Sequence, residues 1–133
     1  MCGIVGLFLK DPSLEAALGS MLTDMLVTMS DRGPDSAGIA IYSKPVEDRG
    51  KITIQSAYSD QDFAALEAEF KATFGQSLTL QRKNSHAVFE VPQNQIDEIR
   101  ARLRQAHPDI RVMSTGDKIE IYKEIGLPKS VAE

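Results

Sequence analysis

The residue best equipped for chemistry is Cys2, the only cysteine in a chain of 133 residues. With Met1 removed, Cys2 carries a thiol and a free α-amine, a nucleophile and a base on one residue. An α-amine titrates at about 7.7–8.0 and is partly neutral near pH 7. A thiol of pKa about 8.5 then needs only a modest push to become a thiolate. While Met1 stays attached, the Cys2 nitrogen is an amide with no basic lone pair. The residues that follow, Gly3-Ile4-Val5-Gly6-Leu7-Phe8, predict a buried strand with glycines where another backbone can come close. The expectation is an N-terminal nucleophile held at the start of a core strand. The competing reading is a small buried cysteine in an apolar strand, since free cysteines are among the most often buried residues.

A second group of chemically equipped residues is Asp31-Arg32-Gly33-Pro34-Asp35-Ser36-Ala37-Gly38, a dense run of charges and turn formers. Gly33-Pro34-Asp35 predicts a tight, irregular loop, and Gly38 to Tyr42 a short strand entering the core. A loop carrying both Arg and Asp can also be purely structural, held together by its own salt bridge.

Between the two groups lies a helix that must set their separation. Asp11-Pro12-Ser13 predicts its start, with proline in the first turn and Glu15 at the positive end. Leu14, Leu18, Met21, Leu22, Met25, Leu26 and Met29 recur at helical spacing and predict one broad apolar face suited to packing on a sheet. The methionines on that face read as core filling, and the helix should end near Ser30, before Pro34.

Composition limits the remaining possibilities. The net charge is −4, which leaves no basic excess to displace counterions from phosphates, so nucleic acid is not an expected partner. One cysteine allows neither an internal disulfide nor a multi-cysteine zinc site. The apolar start has no basic leader region and meets Lys10 and Asp11 at once, too short for a signal peptide or a membrane span. No membrane association is expected, and a cytoplasmic location, where Cys2 stays reduced, is the default expectation. The residues call for no metal and no cofactor.

Cys2-Gly3-Ile4-Val5-Gly6 at the extreme N-terminus, with Arg32-Gly33-Pro34-Asp35-Ser36-Ala37-Gly38-Ile39 one helix later, closely resembles the class II glutamine amidotransferases. Those are N-terminal-nucleophile (Ntn) hydrolases that serve as the glutaminase part of larger synthases. The resemblance implies that Cys2 is the catalytic nucleophile. It also implies that Arg32 braces the active-site loop, which Gly33 and Asp35 shape, without any of the three being catalytic. Glutamine is the implied substrate, and a synthase subunit or domain receiving ammonia the implied partner.

The middle of the chain has its own pattern. Lys51 to Tyr58 predicts a strand, and Asp60 to Phe74 a helix with Phe63, Leu66, Phe70 and Phe74 on one face and Gly75 as its stop. Ser77 to Gln81 and Ala87 to Val91 predict strands joined by a turn at Arg82-Lys83-Asn84-Ser85. Asn94 to Ala106 predicts a second helix, closed by Pro108, and Ile110 to Met113 a further strand. The order βαββαβ is the ferredoxin-like pattern. Arg100, Arg102 and Arg104 cluster on the second helix and read as a solvated face. Lys118 to Lys123 alternates cleanly and predicts a strand; by resemblance it is the hairpin partner of Ile39 to Tyr42. Tyr122-Lys123-Glu124-Ile125-Gly126-Leu127-Pro128 is similar to the same stretch of the smaller glutaminase subunits of the glutamate-synthase type, the N-methylglutamate synthase one included.

The expected fold class is therefore α+β. Residues 1-48 plus 115-133 form the N-terminal part of an Ntn-hydrolase αββα sandwich, and residues 49-114 an inserted ferredoxin-like subdomain in a hairpin loop, where added length costs little.

Class II amidotransferases also carry a downstream His-Thr-Arg segment that grips the substrate carboxylate, an Asn-Gly pair that forms the oxyanion hole, and an aspartate for the substrate amino group. Neither His-Thr-Arg nor Asn-Gly occurs in the 133 residues, so no substrate-binding residue is assigned. His86 and His107 sit next to predicted turns and are expected at the surface. The expectation is an N-terminal piece of a longer amidotransferase, very slow or inactive alone, because losing even one oxyanion donor costs on the order of 10²–10³ in rate. The alternatives are a non-catalytic binding, regulatory or assembly module of an amidotransferase complex and an inactive paralogue kept as a structural subunit.

Overall fold

The computed structural model describes residues 3–32 and 34–132. Its contacts divide the chain into two compact units, one of residues up to 39 with those from 123 onward, the other Ala40–Tyr122. The sequence pattern placed these divisions at 48/49 and 114/115.

In the first unit the helix start follows the local chemistry. Asp11 accepts a hydrogen bond from the Ser13 N–H at 2.9 Å, with Pro12 opening a 3-10 stretch, Pro12–Ala17, that continues as helix α1, Leu18–Val27. Four hydroxyls, of Ser20, Thr23, Thr28 and Ser30, donate back to main-chain carbonyls three or four residues earlier. The last two of these bonds occupy carbonyls near the helix end, where the chain passes into the one-turn 3-10 segment Ser30–Arg32. Helix α1 packs against the short helix α4, Pro128–Ala132, and none of the residues of α1 is buried.

The expected N-terminal strand is absent. Residues 3–9 carry no regular secondary structure, and Ile4 and Phe8 are 94% and 85% exposed. Val5, Leu7 and Leu9 are half-buried, so the alternation of a strand is present without the strand. A strand exists only where a neighbour takes its N–H and C=O groups, and neither sheet among the described residues contains this segment.

Strands β1, Ser36–Tyr42, and β6, Ile119–Ile125, pair as a two-stranded sheet. The intervening chain forms β2, Arg49–Gln55, α2, Ser59–Phe74, β3, Thr79–Lys83, β4, His86–Pro92, α3, Ile96–Ala106, and β5, Arg111–Gly116. These four strands form one sheet in the order β3-β4-β2-β5, every neighbouring pair antiparallel. Each helix crosses from one strand to a parallel one, with an antiparallel strand lying between the two. Register is read from Ile52 opposite Phe89 and Leu80 opposite Phe89, with an irregularity between Thr53 and Ile54 against β5.

One face of this sheet and the inner stripes of α2 and α3 make the core. Ile52, Ile54, Ala87, Phe89 and Val91 meet Phe63, Leu66, Phe70, Ile96, Ile99 and Leu103, all buried. Phe70 stacks on Phe89 with centroids 5.4 Å apart and takes Phe74 edge-on at the same distance. Two glycines carry geometric demands. Gly75 ends α2 at φ 102°, ψ 163°, a region essentially reserved for glycine. At Gly50 an added Cβ would lie 2.1 Å from Ile96 Cδ1, so β2 runs hard against the start of α3.

Candidate functional site

Cys2 and Gly33 lie outside the described residues, and the site is built from their immediate neighbours. Gly3 sits against the end of the helical segment: an added Cβ would lie 2.2 Å from Met29 Cε and 3.5 Å from both Cβ and Cδ of Arg32. The residue after Cys2 therefore lies against the Met29 side chain and close to that of Arg32, so the two sequence motifs are neighbours in space. Arg32 is exposed, and its N–H donates to the Met29 carbonyl at 2.9 Å.

Asp35 works through its main chain. Its carbonyl accepts the Gly126 N–H at 3.0 Å, and Gly126 has φ 126°. That φ suits glycine, which turns the chain from β6 into α4 there. The carboxylate of Asp35 is exposed, and among the described residues no ion pair joins Arg32 to Asp31 or Asp35. The purely structural account of the loop, a salt bridge between its own charges, is thus not how it is held.

A polar group that the sequence did not single out lies on the second face of the four-stranded sheet. Along β2 the side chains alternate, so Ile52 and Ile54 face the helices while Lys51 and Thr53 face the other way. That second face is also buried: Lys51 is 7% exposed, His86 3% and Thr53 0%. Residues of β6 cover it. Lys51 Nζ donates to Glu120 Oε1 at 2.6 Å and to Ser43 Oγ at 2.9 Å. The Tyr122 hydroxyl donates to Glu120 Oε2, and the Tyr122 ring meets His86 edge-on at 5.4 Å.

Burial opposes the charged form of Glu120, but hydrogen bonds from Lys51 and Tyr122 and the attraction of Lys51 and Lys83 outweigh it and lower its pKa. Burial, with the Glu120 carboxylate beside it, raises the Tyr122 hydroxyl. Thr53 Oγ1 is buried with no hydrogen-bond partner.

Both histidines differ from the surface placement expected of them. His86 is buried because it opens β4 on the face that Tyr122 covers. His107 is partly buried at the end of α3, with its ring edge-on to Phe70 at 6.0 Å and Nε2 2.9 Å from Glu69 Oε2. Arg102 of the expected solvated face also reaches Glu69, with Nε and Nη2 at 2.9 and 2.8 Å from Oε1. The Arg102 hydrogen bond is the main cause lowering the Glu69 pKa, against burial and with help from His107.

Two shallow clefts lie in the four-stranded unit. One, of about 330 Å³, is lined by Phe74, Glu98 and Arg102, the other, of about 180 Å³, by Asp62, His107 and Asp109. Neither includes a residue of the Gly3–Arg32 contact. Among the described residues no cluster of His, Cys, Asp and Glu is placed to hold a metal ion, and no helix is long and apolar enough to cross a membrane.

Over 98% of its length the chain is 53% identical to the glutamine amidotransferase-like protein GlxB of Rhizobium meliloti (strain 1021), of which it covers 43%. Over its whole length it is 23% identical to a putative glutamine amidotransferase of Methanothermobacter thermautotrophicus, of which it covers 46%. The chain thus spans somewhat less than half the length of these curated relatives. No family model and no solved structure matches it.

Proposed function

We propose that the chain is the nucleophile-bearing part of a class II glutamine amidotransferase, with an Ntn-hydrolase α+β architecture interrupted by a ferredoxin-like subdomain. The observation that carries this reading is the contact of Gly3 with Arg32, which sets the residue next to Cys2 against the Arg32–Asp35 loop. The relatives, one named glutamine amidotransferase-like and the other a putative glutamine amidotransferase, support the substrate class. The exposed, strand-like alternation of residues 3–9 agrees with a segment that pairs with further strands in a longer protein.

In this reading the neutral α-amine of processed Cys2 takes the thiol proton through a water. The thiolate attacks the side-chain amide carbon of glutamine and forms a tetrahedral adduct. The C–N bond then breaks, ammonia leaves carrying a proton returned by the α-amine, and water hydrolyses the γ-glutamyl thioester to glutamate and free thiol. Arg32 supports the loop from its place beside Gly3, and Asp35 by its main-chain bond to Gly126. Ammonia passes to a synthase partner. The tetrahedral oxyanion needs aimed hydrogen-bond donors, which the residues assigned here do not supply.

The test is labelling of Cys2 by a glutamine-analogue electrophile in the full-length protein with Met1 removed. Stoichiometric labelling that glutamine competes away is expected, and a Cys2→Ser variant should take none. Absence of labelling in correctly processed protein would refute the enzyme reading and favour a binding or assembly role.

A further inference from the structure

The polar cluster centred on Lys51 has a job that its contribution to stability does not explain. A buried ion pair gains little over apolar side chains of the same size, because desolvating both charges offsets their attraction. What such a pair does well is choose one arrangement among several. Strand β6 reads Ile119-Glu120-Ile121-Tyr122, so a slip by one residue turns two isoleucines toward the sheet and Glu120 and Tyr122 away from it. By apolar pattern alone the two registers are nearly equivalent.

Lys51 breaks that equivalence, and it does so on both strands of the β1–β6 ribbon. Its Nζ holds Glu120 on β6 and Ser43, the residue directly after β1. The Ser43 N–H in turn donates to the Lys118 carbonyl at 2.9 Å, which joins the two strands beside the cluster. Ser114 adds a further tie, its hydroxyl accepting the Ile121 N–H at 3.1 Å. At the far end of the ribbon the strands are joined by Gly126 N–H to the Asp35 carbonyl. The separation between the two cross-links is the same on each strand, 35 to 43 and 118 to 126, so they belong to one unslipped antiparallel register. From Glu120 to Gly126 is six residues, about 20 Å along a strand.

We infer that Lys51 is a positioning residue: by binding Glu120 and Ser43 together it locks the register of the β1–β6 ribbon, and so brings Gly126 opposite Asp35 in the loop that carries Arg32. The consequence for catalysis rests on the proposed role of the Arg32–Asp35 loop; the register lock itself does not.

The experiment follows amide hydrogen exchange and cross-strand NOEs by NMR in the 133-residue chain, with thermal melting alongside. The variants are Lys51→Met, Glu120→Leu, the two combined, and Ile54→Val, which weakens the core without touching the cluster. Each single cluster variant should melt lower and exchange Gly126 N–H about tenfold faster or more. The combined variant, which leaves no unpaired buried charge, should recover most of the melting temperature but not the protection of Gly126 or its NOEs to residue 35. Ile54→Val should melt lower while Gly126 exchange stays within about twofold of wild type. Protection of Gly126 that tracks melting temperature across all four variants would overturn the inference and leave the pair an ordinary structural contact. Because none of these readouts involves Cys2, a failed labelling experiment and a failed register lock are told apart.

Discussion

Gly50→Ala changes one hydrogen for a methyl group, and the structure gives the sign of its effect. Removing a glycine ordinarily stabilises by about 0.4–1 kcal/mol, because the unfolded chain loses freedom. Here the new Cβ would lie 2.1 Å from Ile96 Cδ1, 3.1 Å from Ile96 Cγ1 and 3.0 Å from Gln93 Oε1. Ile96 is 6% exposed and packed in the core, so it has little room to turn away. Forcing an extra methyl into such a place costs about 1–3 kcal/mol. The net expectation is a loss of about 1–2 kcal/mol, or about 5–15 °C in melting temperature for a unit of this size.

Calorimetry and urea unfolding followed by circular dichroism would measure the loss. The comparator is Gly19→Ala in α1, where nothing lies within 4 Å of the added Cβ; it should stabilise its own unit by about 0.5–1 kcal/mol. Adding Ile96→Val to Gly50→Ala removes the clashing methyl, and the pair should be more stable than the sum of the single changes predicts. A Gly50→Ala protein as stable as wild type would refute the close approach of β2 to α3.

The packing and the charges give three more outcomes. Phe70→Ala removes the ring that touches Phe74, Phe89 and His107, and should cost about 3–5 kcal/mol in equilibrium unfolding; a loss below about 1 kcal/mol would contradict its place at the centre of the core. Glu120 has a folded pKa below its ordinary value of 4.5, so its stabilising effect is complete above that pH. The effect is lost as pH falls through the lowered value, because the unfolded chain binds the proton first. Tyr122, raised above its ordinary 10.0, sets the opposite limit: stability falls as pH rises past about 10, where the unfolded chain gives up its proton first. Glu120→Gln should flatten the acid limb of a stability–pH curve measured by urea unfolding, and an unchanged acid limb would refute the assignment.

The elements between β1 and β6 were legible because their signals are local. Phe63, Leu66 and Phe70 at helical spacing and the φ of Gly75 both come from a few neighbouring residues, and α2 ends where they place it. The N-terminal segment shows the limit of the same reasoning. Ile4 to Phe8 alternate as a strand does, but pairing needs a neighbour whose presence no local pattern reports, and Ile4 and Phe8 stand exposed. His86 was misplaced for the converse reason: proximity to a turn says nothing of a Tyr122 ring arriving from a distant strand.

By itself the sequence determined the chemistry on offer: a single thiol at position two, an Arg-Gly-Pro-Asp loop one helix later, and the residue types of each strand and helix. Tertiary structure alone decided what meets what. It put Gly3 beside Arg32, joined Asp35 to Gly126, and buried Lys51 with Glu120, residues 69 positions apart. Strand alternation marks Lys51 and Glu120 only as charged side chains opposite an apolar face, a pattern that usually means solvent. Whether such a face stays wet depends on whether another segment folds over it, and here β6 does.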